Sequence, residues 1–238
     1  PIVIGILYGL FFIQQFGTSF IGKFFGPLMT LWFLMLGLLG VYRLTDDWSV
    51  LSSLNPYYTY LLLKTHPSGF LILGAVFLCT TGAEALYSDL GHCGRKNIRI
   101  TWGLVKMCLL LNYMDQAAWL MNLGDGTFIT GKNPFFEIMP HWFLIPGIVI
   151  ATSAAIIASQ ALISGSYTLI NEAMNMNFWP RVAVRQPSET KGQIYIPSVN
   201  IMLWIGCVLM VLYFKNSSNM EAAYGLAITL TMMVTTYL

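Results

Sequence analysis

The run Thr80-Thr81-Gly82-Ala83-Glu84-Ala85-Leu86-Tyr87-Ser88-Asp89-Leu90-Gly91-His92 closes a long apolar segment that begins near Phe70. A carboxylate this deep in a membrane-length segment is costly, and such residues face other protein or a water-filled cavity rather than lipid. Glu84 therefore reads as part of an ion or proton pathway. Thr81 lies three residues earlier, on the same face of a helix. Together they offer a hydroxyl and a carboxylate, the hard oxygen ligands that a hard cation takes. Gly82 allows local unwinding, which frees backbone carbonyls to coordinate a cation. Discontinuous helices near the midplane are a common device of secondary transporters. A carboxyl removed from water favours its protonated form, so Glu84 can take up a proton and release it when water or a cation arrives. The plainer alternative is an ion pair between Glu84 and Lys106 of the next segment, which would only fix two helices together. The two readings are compatible.

Composition agrees with a bilayer setting. Of 238 residues, 56% are hydrophobic and only 9% are charged, where a soluble domain carries about 25% charged residues. Mean hydropathy is +0.67. The net charge of +2 is small, and no basic cluster is interleaved with aromatics, so nucleic acid is not expected as a partner. Cys79, Cys93, Cys108 and Cys207 form no C-x-x-C pair. They imply neither a disulfide framework nor a zinc site and read as small apolar packing residues. The chain starts at Pro1 inside one apolar run and stops at Leu238 inside another. It reads as an internal piece of a larger membrane protein.

A membrane helix needs about 20 mostly apolar residues. By that measure the chain is one transmembrane domain with seven spans, near 2–15, 24–42, 70–90, 98–121, 142–170, 196–214 and 221–238. The fold class is all-α, a polytopic helix bundle. The fifth span is too long for a simple crossing, and its end near Asn171 is expected to emerge from the membrane. Alternate loops carry Lys23, then Arg95, Lys96 and Arg99, then Arg181, Arg185 and Lys191; the opposite loops carry Arg43, Lys64, Lys132 and Lys215. Basic residues favour the cytoplasm, which places the first set inside. Between Thr45 and Gly69, on the outer side, Asn55-Pro56 introduces the Tyr-rich stretch 57–64. That stretch is too short to span and reads as an interfacial helix. Gly-Asp-Gly and Asn-Pro signal turns between Leu123 and Trp142.

Other polar residues lie within the spans. Lys106 and Asp115 share the fourth and are each expensive there. Nine residues apart, they point to opposite faces of a helix. Lys106 is placed to neutralise Glu84, and Asp115 to face outer water. In the fifth span, Ser159 and Gln160 are candidates for lining a cavity, although packing and hydrogen bonds across helices explain such residues as well. In the last span, Thr229 and Thr231 are weighed the same way. His66, His92 and His141 lack zinc-ligand spacing. No H-E-x-x-H, G-x-S-x-G or P-loop occurs, so an enzyme is not indicated and no cofactor is expected.

The Glu84 run strongly resembles the sixth-helix motif of the KUP/HAK/KT potassium uptake permeases. Further stretches resemble the same family in the same order: Ile21-Gly-Lys-Phe-Phe-Gly-Pro27, Leu111-Asn-Tyr113 with Gln116, Ile157-Ala-Ser-Gln-Ala-Leu-Ile-Ser-Gly165, Gln193-Ile-Tyr-Ile-Pro197 with Asn200, and Ala222-Ala-Tyr-Gly225. The resemblance covers essentially the whole chain. It implies proton-coupled potassium import in the bacterial inner membrane and an inverted-repeat fold similar to that of the amino acid–polyamine–organocation transporters. Potassium ion, proton and lipid bilayer are then the partners, and any homo-oligomer would form through parts outside these residues. The chain would supply part of helix 4 through helix 10. Glu84 matches a family acidic residue implicated in potassium binding and proton coupling, and Thr81 a hydroxyl position beside it. Lys106, Asp115, Thr229 and Thr231 are accessory candidates. Met114-Asp115 departs from the family, which usually has Gly at the second position. An amino acid or other organic-solute transporter of the same fold is the alternative.

Overall fold

The computed structural model describes residues 2–16, 19–44, 48–66, 69–79, 95–123, 133–186 and 194–237. Nine α-helices are present among them: α1 (Ile2–Ile13), α2 (Ser19–Leu44), α3 (Pro56–Thr65), α4 (Gly69–Cys79), α5 (Arg95–Asn122), α6 (Pro134–Glu137), α7 (Leu144–Asn175), α8 (Pro197–Phe214) and α9 (Ser217–Tyr237). Short 3₁₀ turns follow α1 at Gln14–Phe16 and precede α3 at Trp48–Leu54. An antiparallel bridge joins Arg185 to Tyr195. The described residues are thus mostly helical, consistent with an all-α membrane protein. Among the described residues three helical stretches are long and apolar enough to cross a membrane: Phe24–Tyr42, Leu144–Asn175 and Pro197–Phe214. At 1.5 Å per residue, the 32 residues of α7 extend about 48 Å, well beyond a hydrocarbon core of about 30 Å.

Local signals explain several helix ends. Asn55 and Asn133 each precede a proline and act as N-caps. Their side-chain carbonyls accept from the backbone N–H of Tyr57 at 3.0 Å and of Phe135 at 3.1 Å, while the proline occupies the first helical position, where its missing N–H costs nothing. Pro197 opens α8 in the same way, after an extended Ile196. Past the other ends, Asn177 and Lys215 adopt positive φ of 60° and 56°, which a continuing helix does not allow.

The helices form two compact units, Pro1–Lys23 with Ala75–Ala85 and Ala158–Leu238, and Phe24–Gly74 with Leu86–Ile157. In the first, α1 packs on α8. Its core joins Phe11 to Ile163, Tyr167 and Met174 of α7 and to Tyr195, Ile196 and Val199 at the start of α8. The α7 residues recur at helical spacing and so form one stripe. In the second unit, Met35 and Leu39 of α2 pack with Met139, and Leu44 packs with Val50 and with Ala118 of α5. Close approach of α2 to α5 depends on glycine. A Cβ on Gly37 would stand 3.1 Å from the Cys108 sulfur, and one on Gly40 would stand 2.6 Å from the Leu111 carbonyl carbon. Small residues at such crossings are how membrane helices gain packing when the hydrophobic effect no longer drives association.

Candidate functional site

Glu84 and Thr81, the residues on which the sequence reading centres, lie outside the described residues, as do Gly82 and the rest of 80–94. The accessory candidates are described. Lys106 is exposed on α5, with its ammonium 5.3 Å from the centre of the Trp102 ring, within the range of a cation–π contact. Asp115 lies on the opposite side of the helix and is completely buried. It does not face water as its position in the outer half of the span led us to expect. The physical reason is the 3₁₀ turn Trp48–Leu54, which packs on α5 and sets Val50 against Met114, Ala117 and Ala118. The adjacent Gln116 donates to the Asn112 side chain, one turn back, at 2.8 Å. Thr229 and Thr231 are exposed, and their hydroxyls bond back to the carbonyls of Gly225 at 2.8 Å and Ala227 at 2.9 Å. Such back-bonding satisfies a hydroxyl within its own helix.

The structure assembles a different polar group, in the first unit, between the end of α1 and the α7 and α8 helices. Gln14 and Gln160 are both buried, and the Gln14 amide donates to the Gln160 side-chain carbonyl. Nearby, the Tyr167 hydroxyl donates to Asn200 Oδ1 at 2.5 Å. Asn200 Nδ2 in turn donates to the Phe11 carbonyl at 3.2 Å and to the Tyr195 hydroxyl at 3.4 Å. The Tyr167 and Tyr195 rings meet edge to face, 6.0 Å between centres. The paired backbone bonds between Arg185 and Tyr195, both 2.9 Å, hold Tyr195 in place. Phe11 stands at the last turn of α1, where helix carbonyls lose their intrahelical partners. The Asn200 amide therefore caps α1 from another helix, just where the chain tightens into a 3₁₀ turn. A cleft of about 270 Å³ opens beside this group, lined chiefly by aromatic side chains that include Tyr8, Phe12 and Trp204, together with Gln15 and Asn200.

Chemically this group is a lock between helices. The Gln160 and Asn200 amide oxygens and the Tyr195 hydroxyl each accept from a protein donor, in keeping with the rule that buried polar groups are satisfied. Among the described residues no cluster of three His, Cys, Asp or Glu side chains could hold a metal ion. Of the residues involved, the sequence offers Gln160 as a candidate for lining a cavity, and Asn200 only within the family-like stretch Gln193–Pro197 with Asn200. Gln14 and Tyr167 were missed. Their signal is the same, a hydrogen-bonding side chain inside a span, but it does not name the partner.

Comparison with known proteins shows what the chain is similar to. A family model described as the K+ potassium transporter integral membrane domain matches residues 1–238. A protein of Flavobacterium psychrophilum named "Probable potassium transport system protein Kup" is 61% identical over the whole of this chain and 37% of its own length. Proteins of the same name from Cytophaga hutchinsonii and Clostridium perfringens are 58% and 57% identical, again over the whole of this chain and 37% and 36% of theirs. The chain thus spans little more than a third of the length of the curated relatives it matches. No solved structure matches it significantly.

Proposed function

The chain belongs to the K+ potassium transporter family, and from that premise we propose that it forms part of a secondary active importer that couples potassium entry to proton entry. The family match over all 238 residues carries this reading. With the apolar helices, it also makes the chain part of a multi-pass protein of the bacterial plasma membrane. The three relatives described above are named as potassium transport proteins, which supports potassium over an amino acid or another organic solute. It also supports a transporter over an enzyme.

The mechanism is alternating access, with one group of helices rocking about a cation site near the midplane. The seven segments near 2–15, 24–42, 70–90, 98–121, 142–170, 196–214 and 221–238 cross the bilayer and belong to an inverted-repeat bundle. Glu84 binds the proton and helps hold the cation, and Thr81 supplies an oxygen. Potassium entry from outside strips water from the ion and replaces it with these oxygens and with backbone carbonyls. Each positive charge moving inward gains about 2.3 kcal/mol per 100 mV of membrane potential. The buried bonds from Asn200 and Gln160 then hold α1 to α7 and α8 while other parts move.

The test is potassium uptake by the complete protein in a host lacking its own potassium transporters. Uptake that is restored and then collapses when a protonophore dissipates the proton gradient is the expected result. No uptake would overturn the transporter reading, and uptake indifferent to the protonophore would overturn the coupling.

A further inference from the structure

The segment between α2 and α4 contains an uncovered amphipathic surface that the transport reading does not use. From Trp48 to Thr65 the described chain buries one side chain, Val50, and exposes nearly everything else. Trp48, Tyr57, Tyr58 and Tyr60 are each more than half exposed, and Leu51, Leu54, Leu61 and Leu63 are also exposed. Lys64 is the single charged residue in this stretch, and its ammonium lies 6.0 Å from the Tyr60 ring centre. In water, a contiguous apolar and aromatic surface of this kind would be a liability.

Two anchors fix where the segment sits. At its start, Val50 is clamped with Leu44, at the end of α2, and with Ala118, towards the end of α5. At its end, Gly69 opens α4 so close to α3 that a Cβ there would lie 3.2 Å from the Leu62 carbonyl oxygen and 3.3 Å from the Leu63 Cα. The Gly69 N–H donates to the His66 carbonyl at 2.9 Å, closing this turn. The segment therefore lies at the level where α2 and α5 end and α4 begins. Tyr42, in the last turn of α2, and Trp142, just before α7, are strongly exposed as well. Tyr and Trp gather where membrane meets water, because each has an apolar ring and a polar edge.

We propose that residues Trp48–Thr65 lie in the phospholipid headgroup layer of the outer membrane face, with the Trp, Tyr and Leu side chains at the level of the acyl esters and Lys64 reaching a lipid phosphate. The occupant of this surface is the bilayer itself. The capped start at Asn55-Pro56 and the tight Gly69 turn hold α3 as a short rigid helix rather than a free loop. An α3 seated in lipid sets the depth at which α4 enters the membrane. The inference needs only that the chain is a membrane protein and stands apart from which ion is carried.

The experiment uses the complete protein, with its own cysteines replaced, in vesicles of phosphatidylethanolamine and phosphatidylglycerol. Nitroxide labels are placed singly at Tyr58→Cys, Leu61→Cys and Lys64→Cys. Collision rates with oxygen, which concentrates in lipid, and with a water-soluble nickel chelate are then measured. All three side chains are exposed, so the variants fold. Expected is an oxygen-to-nickel ratio several-fold above that of free label in buffer at Tyr58 and Leu61, with a smaller rise at Lys64. Ratios equal to free label at all three positions would place the segment in water and overturn the proposal. Low collision rates with both agents would show that protein covers it and would overturn the proposal equally. Neither outcome touches potassium uptake.

Discussion

Asn200 ties α8 to both α1 and α7. It receives the Tyr167 hydroxyl and donates to the Phe11 carbonyl, and both of those groups are buried or sit in buried residues. Asn200→Leu keeps the branched four-atom skeleton of the side chain and removes all three of its bonds. Each buried polar group left without a partner costs about 1–3 kcal/mol. The variant is expected to unfold at a clearly lower temperature, read by intrinsic fluorescence of the purified protein; an unchanged melting temperature would mean the network holds nothing. The sequence offers Gln160 as a cavity-lining candidate and Asn200 only through its family-like stretch, while the Phe11 carbonyl bonded by Asn200 and the Gln14 bonded to Gln160 lie 189 and 146 residues away along the chain. Spacing rules reach one or two helical turns, so no pattern in the sequence pairs them. Asp115 illustrates the same limit. Its position on α5 was legible, but its burial depends on a 3₁₀ turn from a distant stretch.

Helices are the most legible elements here. Apolar length locates most of them and Asn55-Pro56 marks the start of α3, because caps and proline act through the backbone within three residues. Asn133-Pro134, read as a turn, also opens a helix. The interior of 98–121 shows how composition underdescribes an element. The helix runs from Arg95 to Asn122, taking in basic residues that read as loop. How helices meet is written more faintly, in single glycines. Gly40 faces the Leu111 backbone with no room for a Cβ, whereas a Cβ on Gly103, within α5, would meet nothing within 4 Å. Gly40→Ala must push α2 from α5, and overpacking of this kind costs about 1–3 kcal/mol. Gly103→Ala should leave stability unchanged or raise it slightly, since alanine favours helix. Thermal unfolding of the two variants side by side tests this, and equal melting temperatures would refute the close crossing.

At the level of the whole molecule, a charge-poor chain with apolar helices is legible as a membrane protein from composition alone. The carrier reading needed more, namely the ordered motifs and the family match over 1–238. Long-range arrangement was the least legible feature, for the reason already seen at Asn200: contacts between distant segments leave no periodic trace. What the potassium reading requires chemically is one group able to exchange a proton for a cation inside the membrane, and Glu84 is the residue we assign to it. The decisive measurement is rubidium uptake into proteoliposomes of the complete protein, at two external pH values, with wild type and Glu84→Gln compared. The exchange keeps the side chain's shape and removes its charge and its proton. Uptake that rises with external acidity in the wild type and is lost, or made indifferent to pH, in the variant is the predicted result. A Glu84→Gln protein that takes up rubidium at the wild-type rate with the wild-type pH dependence would contradict it.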